Sequence, residues 1–332
     1  MNRCGVTFAA MGSEVRLIIE DPRAGARDPT RAAIEAHGFI ERFEAKLSRF
    51  RPDSELCAMN ADPRPTVRAS SLLREAVRAG VRAAELSGGL VDPTLVRELE
   101  AVGYEKSRVG VRPASLRDAL LLAPTRRPAQ PRTDQLWRKI SVDDNERAVH
   151  RPPGVVFDTG GTGKGLAADL LAGWLGDYGR FVVDCGGDIR VGGFALNAKP
   201  FEIEVENPLT GERAHVVRLA AGGIATSGLN VRLWRDRTGR FAHHLLDPST
   251  GEPAWTGLIG VTALGSTALE AETLSKAALL SGPERGRRFL ARRGGFLVHD
   301  GGDVELLGPL DARQRLQITV PRAVADQFGA AA

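Results

Sequence analysis

The chain has 332 residues, 42% hydrophobic and 26% charged, with a formal net charge of +4 at pH 7. That balance describes a soluble globular protein of one large or two moderate domains, and its scattered arginines give nucleic-acid binding no support. Three cysteines without a CxxC pair, Cys4, Cys57 and Cys185, argue for reduced thiols rather than a disulfide or zinc framework. No apolar run nears membrane-spanning length and the first eleven residues lack a signal peptide's core, so no membrane insertion and a cytoplasmic location are expected.

Residues 6–20 alternate like one strand, with Val15, Leu17 and Ile19 on one side. A helix follows, N-capped by Thr30, with an apolar stripe of Ile34, Ile40, Phe43, Leu47 and Phe50. Residues 51–69, rich in Pro, Asp and Arg, read as loop. A second helix runs from Ser70 to Ser87 and stops at Gly88-Gly89. Around Leu120-Leu122, residues 106–135 fit either a helix between loops or a partly ordered excursion. From 136 onward strands and helices alternate. Val155–Phe157 reads as a strand leading into a helix that carries Leu166, Leu170, Leu171, Trp174 and Leu175. Further strands are expected at 181–185, 201–206, 258–264, 295–299 and 315–320, with helices at 267–280 and 283–293. No linker is clear enough to cut. The expectation is a single α+β domain over residues 6–322, built on mixed or antiparallel sheet.

The most informative stretch is Asp158-Thr-Gly-Gly-Thr-Gly-Lys-Gly-Leu-Ala-Ala-Asp169. Glycines at a strand-to-helix turn let backbone amides approach a ligand, and a helix start favours an anion. Lys164 adds a mobile cation, so the stretch points to a phosphate site; a tight turn before a helix is the plainer alternative. It is not a P-loop, because Gly165 stands where Ser or Thr would meet magnesium and Asp158 where the first glycine belongs. Nor is it a dinucleotide fingerprint, since Gly161-Thr-Gly163 is followed by Lys164, Gly165 and Leu166.

Other short motifs occur in a particular order around it. They are Ala10-Met-Gly-Ser13, Ser48-Arg-Phe-Arg-Pro-Asp-Ser-Glu55 with Asn60, and Gly89-Leu-Val-Asp-Pro-Thr94. After the Asp158 loop come Asp184-Cys-Gly-Gly-Asp188, Ala225-Thr-Ser-Gly228, His244-Leu-Leu-Asp-Pro-Ser-Thr-Gly251 and Ala268-Leu-Glu-Ala-Glu272. From about residue 8 to residue 300 the series resembles the ApbE family of flavin transferases, which move FMN from FAD onto a Ser or Thr of an acceptor protein.

The resemblance implies a T-fold-like ApbE-type α+β domain holding FAD, with magnesium at the pyrophosphate. By motif position it implies FAD contacts at Met11, Val91, Asp92, Asp158, Lys164 and Leu246. It places the Gly161 carbonyl and Glu272 at the metal, and His244 with Lys164 in catalysis. Asp188 and Thr226 are assigned to the flavin cleft, although either also suits a tight turn. Arg49 and Arg51 suit the adenosine side of FAD or a solvated surface; His243 reads as solvent-facing or structural. One departure stands out. The family's Asp and, four residues later, Thr are here Glu272 and Lys276, still on one helix face. Either the Lys276 ammonium stands in for the metal, or magnesium binds through Glu272, the Gly161 carbonyl and phosphate oxygens. An FAD-dependent protein FMN transferase that releases AMP is the leading reading. An FAD-binding protein without turnover and an FAD pyrophosphatase are the rivals. The partner expected is an acceptor protein carrying a Ser/Thr flavinylation motif.

Overall fold

Met11 and Gly12 split the expected strand 6–20 in two. Both take positive φ, 52° and 70°, as a two-residue hairpin turn requires. The computed structural model describes residues 3–195 and 199–308. Strands β1 (Arg3–Ala10) and β2 (Ser13–Pro22) pair antiparallel from Ala10↔Ser13 back to Arg3↔Glu20. Helix α1 (Pro29–Leu47) begins at Asp28 rather than Thr30: the Asp28 carboxylate accepts the Thr30 N–H at 2.9 Å. Its buried stripe runs through Ala32, Ala33, Ala36, Ile40, Phe43 and Leu47, and Ile34 is exposed because the small alanines take the core-facing positions.

The segment read as loop, 51–69, contains α2 (Glu55–Ala61), capped by Ser54, and β3 (Thr66–Arg68). Elements this short leave too few turns for periodicity to register. Helix α3 (Ser71–Leu86) keeps the Ser70 cap and stops at Gly88 and Gly89, both left-handed. Helix α4 (Val96–Ala101) comes next; residues 106–135 hold one short helix between loops, α5 (Leu116–Leu122), and a short 3-10 turn, Leu136–Lys139, follows. Strands β4 (Ser141–Asp143) and β5 (Ala148–His150) follow. Val155–Phe157 joins no strand. Instead the Asn60 amide takes the place of a neighbouring strand, donating to the Phe157 carbonyl at 2.8 Å and accepting its N–H at 2.9 Å.

The remaining elements are α6 (Gly163–Trp174), β6 (Tyr178–Cys185), β7 (Asp188–Gly192), β8 (Phe201–Glu206) and β9 (Arg213–Leu219). Then come β10 (Gly222–Gly228), β11 (Leu233–Arg235), β12 (Phe241–His243), β13 (Leu258–Gly265), α7 (Ala268–Leu290), β14 (Gly295–His299) and β15 (Val304–Leu307). The two helices read from sequence near the end are the two halves of α7, separated by the non-helical Gly282, φ 73°, just before Pro283. The strand expected at 315–320, like the end of the 6–322 unit, lies outside the described residues.

Eight strands form one sheet in the order β1-β2-β6-β7-β10-β13-β14-β15, with every pairing antiparallel. Helix α1 packs on β1 and β2, α6 on β6 and β7, and α7 on β10 and β13. Val15, Leu17, Ile19, Val183 and Cys185 meet α1 and α6 in one core. The opposite face carries Ile18, Val182, Ile189 and Ile224, which cluster with Val205 and Val217 of the β8–β9 hairpin.

Helices α6 and α7 touch backbone to backbone where the chain has no side chain. A Cβ on Gly165 would lie 2.8 Å from the Leu269 N and Cα. At that crossing each helix start is met by the other's carboxylate. Glu272 Oε2 accepts the Gly165 N–H at 2.9 Å, while Asp169 accepts those of Ala268 and Leu269 at 2.9 and 3.0 Å. These are donors that a helix cannot satisfy internally, and an acid there also complements the helix dipole.

Gly165→Ala is therefore expected to destabilise the fold by about 1–3 kcal/mol, the range for forced overpacking. Gly173→Ala, with open space around its Cβ position, should be neutral or slightly stabilising. Thermal unfolding of the two variants checks this; equal midpoints would contradict it.

Candidate active site

The start of α6 opens onto a cleft of about 670 Å³, in the range of small-molecule and cofactor sites. Met11 and Gly12, the end of α1, residues 90–95, the 104–113 loop, the glycine stretch, Arg232, His244–Leu246 and Lys276 line it. Of the residues singled out from sequence, Met11, Val91, Asp92, Asp158, Gly161, Lys164, His244 and Leu246 line this cleft, as do Arg49, Arg51 and Lys276. Asp188, Glu272 and Thr226 do not.

Each wall is held by a specific contact. The Met11 N–H donates to Glu44 Oε2 at 2.9 Å, fixing the hairpin turn to α1. Asp92 Oδ1 accepts both the N–H and the hydroxyl of Thr94, at 2.8 and 2.6 Å. Its Oδ2 is buried and has no partner among the described residues, and burial holds the carboxyl above its usual range. The Asp158 N–H donates to the Pro93 carbonyl, and the Thr159 hydroxyl to the Leu47 carbonyl at 3.0 Å, which locks the glycine stretch to both neighbouring walls. Arg49, nearly buried, lies 4.2 Å from the Phe50 ring centre and 4.7 Å from that of Tyr104, with Asp158 Oδ1 3.8 Å from its Nε. Arg51, half-exposed beside Asp53, lies at the cleft's rim.

None of Gly160, Gly161, Gly163 and Gly165 has positive φ. Their role is close approach rather than a left-handed turn. The helix start is also not wholly free for an anion, because the Gly165 N–H is already bonded to Glu272.

Behind the cleft lie two buried ion pairs. Lys164 Nζ sits 2.7 Å from Asp188 Oδ2 and 3.3 Å from the Gly186 carbonyl. Lys276 Nζ sits 2.8 Å from Glu272 Oε1. Strand register explains the grouping: Asp188 pairs with Ala225, on the sheet face toward α7, where Ser227 bonds Ser275 of that helix at 2.8 Å. Strand alternation then sends Thr226 to the opposite face, where its hydroxyl meets that of Thr262 at 2.7 Å. Thr226 is thus removed from the set of cleft residues.

Burial works against the Lys164 ammonium, but Asp188 and Glu272 outweigh it and keep the lysine above its ordinary range. Burial raises Glu272 against the pull of Lys276 and Lys164. His244 is driven well below the usual histidine value by desolvation of its ring, and further by Arg232, His243, Lys276 and Lys164. Its Nδ1 is enclosed without a hydrogen-bond partner among the described residues. The Asp247 carboxylate ties the following turn by accepting the N–H groups of Gln130 and Ser249 at 3.0 Å, which fixes where His244 points. Arg232 was missed from sequence: it sits among other arginines, and nothing local marks it as facing the cleft.

The magnesium site implied by sequence does not match this donor set. Both Glu272 oxygens are committed, one to an ammonium and one to a backbone N–H. Magnesium needs several oxygens in near-octahedral array. Among the described residues, three His, Cys or acidic side chains close enough to share an ion occur only at Asp143, Glu146 and His150, away from the cleft lining.

A cationic cleft with a glycine stretch and a ring-bearing wall defines a nucleotide-binding class of site. The family model described as ApbE family matches residues 11–298, and the chain belongs to that family. An FAD:protein FMN transferase of Haemophilus influenzae is 30% identical over 266 residues, covering 76% of this chain and 72% of that protein. One from Klebsiella pneumoniae is 26% identical over 291 residues, covering 86% and 80%. The ApbE protein of Thermotoga maritima superposes with a TM-score of 0.76 at 25% identity, covering 94% of this chain and 99% of that one. The apo flavinyl transferase ApbE of Pseudomonas stutzeri gives 0.72 at 24%, covering 93% and 96%, which bears on the fold alone. The α+β fold of ApbE type follows. No helix among the described residues is long and apolar enough to cross a membrane.

His243, read as solvent-facing or structural, is structural: it has no exposure, packs edge-on to Trp255, and accepts the Leu245 N–H at 3.3 Å. Burial pulls its pKa down to about 3. The native state therefore binds fewer protons than the unfolded state between that value and about 6.5, and stability falls as pH falls through this window. His243 alone should remove about 1.5 kcal/mol between pH 6.5 and 5. Urea titrations at the two pH values should show a smaller loss in His243→Gln, which keeps an acceptor but cannot titrate. Equal losses would refute the assignment.

Proposed function

We propose that this protein is one domain that transfers FMN from FAD to a Ser or Thr hydroxyl of an acceptor protein, releasing AMP. One observation carries the reading: Lys164, Lys276, Arg232 and an uncharged His244 converge on the cleft beside the Asp158 stretch. Family membership supports it. The acceptor hydroxyl attacks the FMN-side phosphorus, the bond to the bridging oxygen breaks, and AMP leaves. The hydroxyl proton passes to the His244 imidazole and then to the departing phosphate.

The charge logic is specific to this arrangement. In the free protein desolvation of its ring, reinforced by the surrounding cations, holds His244 neutral, so it is ready to accept a proton but only weakly basic. A bound pyrophosphate offsets those cations and raises the ring's basicity when the substrate is present. Lys164, gripped by Asp188 from behind, positions the phosphates, as phosphoryl transfer depends mainly on placement and charge. Met11, Val91 and Leu246 enclose the nucleotide, and the free Asp92 oxygen accepts an N–H or O–H from it. Asp158 sets Arg49 over the ring-bearing wall. The Gly161 carbonyl borders the phosphates. Magnesium takes no step here, because Glu272 offers it no free oxygen. A cytoplasmic site of action and an acceptor bearing a Ser/Thr flavinylation motif complete the reading.

Mass spectrometry of an acceptor domain incubated with this protein and FAD tests it: an FMN adduct on Ser or Thr with matching AMP release is expected. FMN and AMP without acceptor would make the protein a pyrophosphatase, and stable FAD without AMP a binding protein. His244→Gln should slow transfer about 100- to 1,000-fold, the scale of a lost general base, with FAD affinity changed less than about threefold. An unimpaired variant would exclude His244 as the base.

A further inference from the structure

We infer that the Lys276 ammonium is the built-in cation of the pyrophosphate site, so that FAD binding and transfer in this protein need no divalent metal. The inference rests on the flavin reading above and concerns how this chain supplies positive charge there. Lys276 lines the cleft together with Lys164. It is anchored at 2.8 Å to a Glu272 that has no solvent exposure and whose other oxygen holds the Gly165 N–H.

That anchoring matters physically. A surface lysine is a mobile, hydrated charge, whereas one fixed from behind by a sealed carboxylate presents its remaining N–H donors in a set direction. Asp188 treats Lys164 in the same way, at 2.7 Å. The result is a pair of ammonium groups, each backed by a buried acid, with Arg232 among the further cations on the cleft wall. A divalent ion placed at Glu272 would have to displace Lys276 from Oε1 or sit within a few ångströms of its like charge. Arg49, Arg51, Arg108, Lys164, Arg232 and Lys276 line the cleft against Glu44, Asp92 and Asp158 and, behind them, Asp188 and Glu272, which leaves net positive charge for an anionic ligand. No added ion is needed to create it.

The purified full chain, dialysed against EDTA, is titrated with FAD by flavin fluorescence, with and without millimolar magnesium. Wild-type dissociation constants should agree within about twofold between the two conditions, and so should AMP release with acceptor present. Lys276→Arg, which keeps the charge, should remain chelator-resistant. The double variant Glu272→Asp/Lys276→Thr shortens the acid and removes the ammonium; it should lose at least about tenfold in affinity in EDTA and recover it with magnesium. The inference is overturned if wild-type affinity falls about tenfold in EDTA and returns with magnesium, while the flavin reading then survives. Absence of FAD binding under both conditions overturns the flavin reading and this inference with it.

Discussion

The crossing of α6 and α7 is the constraint on which the rest of the structure depends. Two helix starts meet where Gly165 has no side chain, and each would leave backbone N–H groups unsatisfied in the interior. The chain answers with exchanged carboxylates, Glu272 onto α6 and Asp169 onto α7. Everything at the cleft follows from that exchange. It fixes the direction of α6, hence the position of Lys164 one residue before the contact. It also fixes the α7 turn from which Lys276 reaches the same space.

The sheet contributes through register. Because β7 pairs with β10 and β10 with β13, Asp188 and Ser227 share a face with α7, while Ile224 and Thr226 belong to the other. Acids on the helix-covered face are costly unless paired, and the two lysines supply the pairing. The same two lysines add to the desolvation that already lowers His244, so charge balance and the readiness of a base are linked. Desolvation sets the direction for Glu272 and His244, whereas at Lys164 the neighbouring acids outweigh it.

Much of this was legible in the order of short motifs, because motifs that surround a ligand are constrained by chemistry rather than by periodicity. Met11, Asp92, Asp158, Lys164 and His244, far apart in the chain, all line one cleft. Thr226 was not, since a one-residue step along a strand reverses its face and a motif does not state which face is meant. The loop 51–69 hid α2 and β3 for want of length, and the run Val155–Phe157 looked like a strand because it is apolar. Asn60, ninety-seven residues from Phe157, supplies that run's hydrogen bonds, a relation no local pattern encodes. Glu44, thirty-three residues from the Met11 N–H it accepts, is another relation that no local pattern encodes.

The length of one side chain has a wider consequence. An acid at position 272 must choose between the N–H of a neighbouring helix and whatever occupies the cleft, and glutamate's extra methylene lets it reach the helix. The residue one turn later is thereby released from any duty toward an ion and is free to become basic. Two codons, four positions apart on α7, are thus enough to move a lineage between borrowed and inherited positive charge without altering the architecture.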